Sequence, residues 1–290
     1  MSAPKTVLFC GTPAFAIPAL RAVHACPDLQ ITAVVTQPDR PVGRTKELTA
    51  PPVKDVALEL GLTVLQPEQV NTELPAVLTE PPDYLVTVAY GELIKDALLT
   101  LPRISPINVH PSLLPRWRGA SPLQHTILAG DTEAGTTIQV MGAELDAGDI
   151  LAQERVAVLP RETTATLHDK LATLSATLLV QVLTHPLSPT PQSANGITFC
   201  KKLARENGIV DPTTMDAETI DRTVRALHPW PGVSCSVQGE EVKLHATSLE
   251  PQSSALALPC SNGTTLYVLQ IQSAGKRVMT GEEWQRGRRQ

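Results

Sequence analysis

Residues 6–25, TVLFCGTPAFAIPALRAVHA, read as a buried strand over Thr6–Cys10, a turn at Gly11-Thr12-Pro13, and an apolar-faced helix from about Ala14 to Ala25. Further along, Ile31–Thr36 reads as a second strand and Val53–Leu60 as a second helix. Thr63–Leu65, Tyr84–Ala89 and Ile107–His110 follow as short strands with helical stretches between several of them. Strands alternating with helices imply an α/β fold: a Rossmann-like, mostly parallel sheet with helices on both faces and right-handed crossovers. Gly135–Met141 and Asp149–Val158 then read as consecutive strands joined by a loop over Gly142–Gly148.

Leu167, Leu171, Leu174, Leu178 and Val182 recur at helical spacing and predict a long helix that closes this first domain. The stretch from His185 to Gly196 is rich in Pro, Ser and Gly, which is linker composition. After a helix near Ala217–Ala226, the runs VSCSVQ, EVKLHATSL and TTLYVLQIQSA alternate and are separated by turn residues. They predict a small OB-like antiparallel β-barrel. The expected organisation is a catalytic domain over residues 1–186, a linker over 187–205 and a second domain over 206–290.

The 290 residues are 42% hydrophobic and 18% charged, the composition of a globular protein, and the low aromatic content implies aliphatic packing. No apolar run reaches spanning length, and the start runs into a strand without a signal-peptide layout, so a cytoplasmic location is expected. Cys10, Cys26, Cys200, Cys235 and Cys260 are scattered and form no CxxC pair, which points to neither a disulfide framework nor a zinc site. The net charge of −5 argues against a surface coated for nucleic-acid binding, although Lys276, Arg277, Arg286, Arg288 and Arg289 make the last residues basic.

Chemistry concentrates in NVHPSLLPRWRG (108–119) and GAELDAGD (142–149). Asn108 and His110 are two apart on a strand end, so their side chains point the same way. An amide NH2 and an imidazole N–H can both donate to a developing oxyanion. Asp146 could orient the histidine or relay a proton from an attacking nucleophile. Alternatively, His110 caps a loop and Asp146 serves a turn with Gly148; the adjacent proline-rich stretch Pro111–Pro122, suited to holding polar groups rigid, favours function. The Gly11-Thr12-Pro13 turn could aim backbone N–H groups at an anion, but it lacks GxGxxG and does not indicate a dinucleotide site. The long loop Gln37–Lys46 carries Arg40, Arg44 and Lys46, which suit phosphate contacts or a solvated excursion equally. No nucleophile elbow or metal-ligand spacing is present in the sequence.

In order along the chain, FCGTPAFAIPAL, TQPDRPVGR, VAYGELI, NVHPSLLPRWRGASPLQHTILAGD, ELDAGDIL, RALHPWPG and SAGKRVMTGEEW resemble the methionyl-tRNA formyltransferase family over nearly the full length. The HPSLLP-to-GASP and LDAGDI blocks are shared by folate-dependent formyltransferases generally. TQPDRPVGR, RALHPWPG and SAGKRVM mark the tRNA enzymes. The resemblance implies transfer of a formyl group from 10-formyltetrahydrofolate, a co-substrate, to the amino group of methionine on initiator tRNA, without a metal.

It further implies that Asn108, His110 and Asp146 are catalytic. Folate would contact Val88, Ala89, Tyr90, Gly91, Ser112, Leu113, Leu114, Pro115, Met141, Gly142 and Leu145. Gly11, Thr12 and Phe15 would form the aminoacyl or anion loop, and Arg40, Arg44, Lys46, Lys276 and Arg277 would meet tRNA. A monomer without membrane association is expected. Three features depart from the family pattern: Glu47 stands among the loop cations, the second half looks shortened between Glu250 and Leu256, and the chain is net acidic. Rival readings are a sugar-nucleotide or purine-pathway formyltransferase with another acceptor, and a catalytically silent tRNA-binding protein.

Overall fold

Val7, Leu8, Phe9 and Cys10 are all fully buried. Four consecutive buried residues place a strand inside the molecule with both faces covered, which is the environment of a parallel sheet. A computed structural model, describing residues 3–43 and 46–288, makes this strand the centre of the first of two compact units. That unit is drawn from residues up to 119 together with 133–156 and 168–199. The second takes residues 120–132, 157–167 and those from 200 onward.

The seven strands of the main sheet in the first unit are β1 (Lys5–Gly11), β2 (Leu29–Val35), β3 (Val64–Leu65), β4 (Tyr84–Val88), β5 (Ser105–His110), β6 (Glu133–Val140) and β7 (Ile150–Ala157). They lie in the order β3-β2-β1-β4-β5-β6-β7. The first five are parallel, and β6 runs antiparallel to β5. The chain thus builds outward from β1 through β2 to β3, then crosses to the other side of β1 for β4. That reversal is a topological switch point, and ligands of open α/β sheets bind outside the strand ends at such a point.

The helix expected from Ala14 enters through a 3-10 turn at Ala14–Ala16 and becomes α1 (Ile17–Ala25), with Pro18 in its first turn, where a missing N–H costs nothing. Helices α2 (Pro52–Glu59) and α3 (Val70–Val77) follow. Val70 and Leu74 of α3 join Leu8, Cys10, Ala33, Val35 and Leu85 in one core cluster; alternate residues of β1 and β2 contribute to it, as period two requires. Further on, α4 (Pro122–Ala129) belongs to the second unit, while α5 (Thr164–Thr184) lies in this unit from His168. Of the five residues that announced α5, Leu167, Leu171, Leu178 and Val182 are buried and Leu174 partly so.

In the second unit, α6 (Ala217–Leu227) is capped by Asp216, whose carboxylate accepts from the Thr219 N–H. β8 (Val233–Val237), β9 (Glu240–Ser248), β10 (Leu256–Pro259), β11 (Thr265–Ser273) and β12 (Met279–Thr280) form a five-stranded antiparallel sheet, ordered β8-β9-β11-β10 with β12 beside β11. Three of these strands are legible as alternating runs; the four-residue β10 is too brief to announce itself. A final helix, α7 (Gly281–Arg286), buries Trp284, whose indole N–H donates to Ser273 Oγ at 3.0 Å.

One polar knot ties this unit together. Asp221 on α6 is 1% exposed. It accepts from Arg161 Nη1 at 2.8 Å, Arg225 Nε at 2.8 Å and Thr247 Oγ1 at 2.8 Å. Removing the Asp221 carboxylate takes the acceptor from Arg225 Nε, on a side chain 12% exposed, and from the buried Thr247 hydroxyl, whereas the half-exposed Arg161 keeps water and the Thr247 carbonyl. Asp221→Ala is therefore expected to cost about 3–5 kcal/mol, read as a lowered denaturant midpoint.

Candidate active site

β5 ends in Asn108 and His110, and the loop between β6 and β7 carries Asp146, so the sheet brings groups 36 and 38 residues apart in the chain to one strand end. The Asn108 Nδ2 lies 3.4 Å from Asp146 Oδ1, and His110 Nδ1 lies 3.6 Å from the same oxygen. His110 is 4% exposed, and the Asp146 side chain is 8% exposed.

Neighbours set the orientation of each group. Thr87, opposite Asn108 in the β4–β5 register, donates its hydroxyl to Asn108 Oδ1 at 2.7 Å. The amide oxygen is thereby occupied and the NH2 is turned toward Asp146. The other ring nitrogen of His110, Nε2, is 2.8 Å from the Trp117 carbonyl. A carbonyl can only accept, so Nε2 carries a proton and Nδ1 is the ring atom presented to Asp146. Asp146 Oδ2 accepts from the Gly119 N–H at 2.9 Å, and Oδ1 from Gln139 Nε2 at 3.1 Å.

The backbone around these groups is unusual. Among the described residues six non-glycine residues have positive φ, and three of them belong to the loops of this site: Ala89 (50°), Trp117 (60°) and Asp146 (53°). Such conformations cost about 1–3 kcal/mol each and persist where surrounding contacts hold them. Trp117 is held on both sides, its N–H donating to Thr198 Oγ1 at 2.9 Å and its carbonyl meeting His110. Beyond Asp146, Gly148 passes so close to β6 that a Cβ there would lie 1.8 Å from the Val140 carbonyl oxygen.

The remaining expected residues fall into three groups. Around the switch point, Thr12 Oγ1 donates to the Tyr90 carbonyl at 2.6 Å and so links the end of β1 to the loop after β4. Gly11 is buried against Ala16, and Phe15 is buried with its ring edge-on to His168. Ala89 and Gly91 are exposed, whereas Val88 and Tyr90 are buried. The Tyr90 ring lies in the core cluster and its hydroxyl is pushed above its ordinary range by burial and by Cys10, so this tyrosine offers a ligand its backbone only. The Cys10 thiol itself is raised to about 12 by burial and is no nucleophile at neutral pH.

In the loop after β5, Ser112 and Leu114 are buried and spend their polar groups internally. Ser112 Oγ donates to the Arg116 carbonyl, and the Leu114 N–H donates to Thr137 Oγ1. Leu113 and Pro115 are partly exposed, as is Met141. Gly142 faces open space and Leu145 is 56% exposed. Of the expected tRNA cations, Arg40 is exposed and paired with Glu68 at 2.9 Å, and Lys46 is exposed. Arg44 lies outside the described residues. Lys276 and Arg277 are exposed in the second unit, Arg277 lying 3.8 Å from Glu283.

Sequence reasoning missed Thr87, Gln139 and Gln192. Thr87 and Gln139 flank Asn108 only through strand register, and Gln192 sits in a stretch whose composition suggests a linker. Among the described residues, no group of three His, Cys, Asp or Glu could hold a metal ion. Gly148→Ala is expected to destabilise the fold by about 1–3 kcal/mol and to depress turnover by displacing Asp146; a thermal melt and an activity assay on one preparation check both.

A family model described as Formyl transferase matches residues 5–183, and one described as Formyl transferase, C-terminal domain, matches residues 202–289. A methionyl-tRNA formyltransferase of Limosilactobacillus fermentum is 37% identical, covering 95% of this chain and 93% of its own. Another, from Paramagnetospirillum magneticum, is 40% identical over 97% of this chain and 96% of its own. Among solved structures, an N-formyltransferase from Helicobacter canadensis in complex with folinic acid and dTDP-3-aminofucose superposes with a TM-score of 0.67. It is 15% identical, over 93% of this chain and 99% of its own, a likeness of fold alone.

Proposed function

The chain belongs to the methionyl-tRNA formyltransferase family, and from that premise we propose that Asn108, His110 and Asp146 carry its reaction. That reaction is transfer of the formyl group of 10-formyltetrahydrofolate to the α-amino group of methionine on initiator tRNA, which serves translation initiation. The observation that supports these roles is the convergence of the three side chains at the end of β5, with Asn108 Nδ2 and His110 Nδ1 both within 3.6 Å of one Asp146 oxygen.

The nucleophile is a neutral amine. A free α-amino group titrates near ~7.7–8.0, and an ester on the same carbon lowers that value, so the reactive form is abundant at neutral pH. Attack forms the new C–N bond and sends the formyl π electrons onto oxygen. Asn108 Nδ2 is placed to donate to that oxyanion, with its amide oxygen already held by Thr87. His110 donates through Nδ1 in its doubly protonated, cationic form, which the Asp146 carboxylate favours, since Nε2 is committed to Trp117. Removing one donor of this kind typically costs about 2.7–4 kcal/mol in the transition state. Asp146 takes the proton released by the attacking nitrogen. Collapse of the intermediate breaks the bond to the folate nitrogen, to which Asp146 passes that proton, and tetrahydrofolate leaves.

For the folate, main-chain groups of Val88, Ala89, Tyr90 and Gly91 are proposed to read the pterin edge, with Ser112, Leu113, Leu114, Pro115, Met141, Gly142 and Leu145 around it. Exposed small residues at Ala89 and Gly91, open space at Gly142 and an exposed apolar Leu145 suit a flat, partly apolar co-substrate. Gly11, Thr12 and Phe15, at the switch point, are proposed to receive the aminoacyl end. Arg40, Arg44 and Lys46 would meet the acceptor stem, and residues 206–290, with Lys276 and Arg277, the tRNA backbone. No helix among the described residues is long and apolar enough to cross a membrane; the proposed setting is a cytoplasmic monomer.

The deciding assay supplies 10-formyltetrahydrofolate with either charged initiator tRNA or an amino-sugar nucleotide; formylation of the sugar alone would overturn the tRNA assignment. In the same assay Asp146→Asn should lower turnover roughly 100- to 10,000-fold while equilibrium folate binding is kept. Arg44→Ala should reduce kcat/KM for tRNA about tenfold or more and leave the folate KM unchanged, which steady-state kinetics on both substrates would reveal.

A further inference from the structure

Gln192 lies 46 residues beyond Asp146, in the Pro- and Ser-rich stretch after α5. The segment does not pass the sheet freely. Thr190 and Ile150, the first residue of β7, exchange two backbone hydrogen bonds of 2.9 and 2.8 Å. This bridge delivers the Gln192 amide to the underside of the Asp146 loop. There Nε2 donates to the Asp146 carbonyl at 2.9 Å and to the Gly148 carbonyl at 2.8 Å, and lies 3.3 Å from Gln139 Oε1. Oε1 accepts from Arg118 Nε at 3.1 Å and Arg118 Nη2 at 2.8 Å.

These partners settle the amide's orientation. A flipped amide would set NH2 against a guanidinium and an oxygen against two carbonyls. They also divide the labour. The two shorter contacts take the two amide hydrogens and grip the backbone on both sides of Ala147, beginning at the left-handed Asp146. Gln139, 2% exposed and opposite Asn108 in the β5–β6 register, holds the carboxylate itself through Nε2. The Arg118 side chain, 8% exposed, anchors the far end.

We propose that Gln192 is a positioning residue for the formyl transfer: it clamps the backbone at the left-handed Asp146 and at Gly148 so that the carboxylate faces Asn108 and His110. This rests on the catalytic role given to Asp146. The proline-rich stretch is then a strap that completes the site, and Arg118 and Gln139 fix the strap's amide and the carboxylate it serves.

Two variants separate this role from simple anchoring. Gln192→Met keeps the length and removes both functions of the amide. Gln192→Glu keeps an acceptor for Arg118 but places oxygen, in place of NH2, against two carbonyls. Both are expected to lose kcat by roughly 10- to 100-fold, the effect of a misplacement near 1 Å, with KM for folate and for tRNA within about threefold of the parent. Thermal melts accompany the kinetics, and Gln192→Glu, which retains the guanidinium partner, carries the test should Gln192→Met fail to fold. Parental kcat in Gln192→Glu would mean that only the Arg118 anchor matters and would overturn the inference. So would parental kcat in Gln192→Met, or a loss confined to KM. Asp146→Asn run alongside keeps the two ideas apart: a fully active Asp146→Asn removes the catalytic reading itself, whereas an inactive one beside an active Gln192→Met removes only the clamp.

Discussion

The architecture of the site turns on how a nearly buried carboxylate is held. Asp146 is an acid on a left-handed residue, in a loop that touches β6 closely enough to require glycine at position 148. Neither the buried charge nor the backbone conformation is favourable by itself. Each is offset by directed donors: the Gly119 N–H on one oxygen, Gln139 on the other, and Gln192 on the loop carbonyls. The same donors determine where the unfilled side of the carboxylate points. That side faces Asn108 and His110, and so the contacts that make the loop stable also aim it.

The sheet supplies the remaining geometry with little dedicated machinery. Parallel pairing sets Thr87 beside Asn108, and the switch to antiparallel pairing at β6 sets Gln139 on the other flank. A single strand position is thus oriented from both sides by register alone. One strand further along, the switch point between β1 and β4 opens a second region of backbone ends, bridged by the bond from Thr12 to the Tyr90 carbonyl. The proposed catalytic groups and the candidate substrate-binding backbone therefore share one end of the strands, while the second unit depends on a different polar knot around Asp221.

Much of this was legible beforehand where the signal was periodic. The strand–turn–helix of residues 6–25, the face of α5 and the alternating runs that became β8, β9 and β11 all follow from which residues must avoid water. Asn108 and His110 share a face because strand side chains alternate. Less was visible where the signal was brief or non-local. The four-residue β10 has too few alternations to stand out. Helix α1 begins after a 3-10 turn because proline terminates hydrogen bonding locally, a detail hydrophobic periodicity does not carry. Composition marks His185–Gly196 as a connector, yet nothing in that composition says that Gln192 meets Asp146.

The division between chain and fold is physical. The order of residues was enough to establish the alternation of strands and helices, the pairing of an amide with an imidazole on one strand end, the antiparallel character of the second half and, through its motifs, the family. Those properties depend on nearest neighbours along the chain and on short periods. Packing in three dimensions selected which imidazole nitrogen faces the acid, which way the Asn108 amide turns, why position 148 tolerates no side chain, and that a distant glutamine grips the Asp146 loop. Those choices are made by hydrogen bonds between residues tens of positions apart, and such bonds form only after packing has brought the partners together and shut out water.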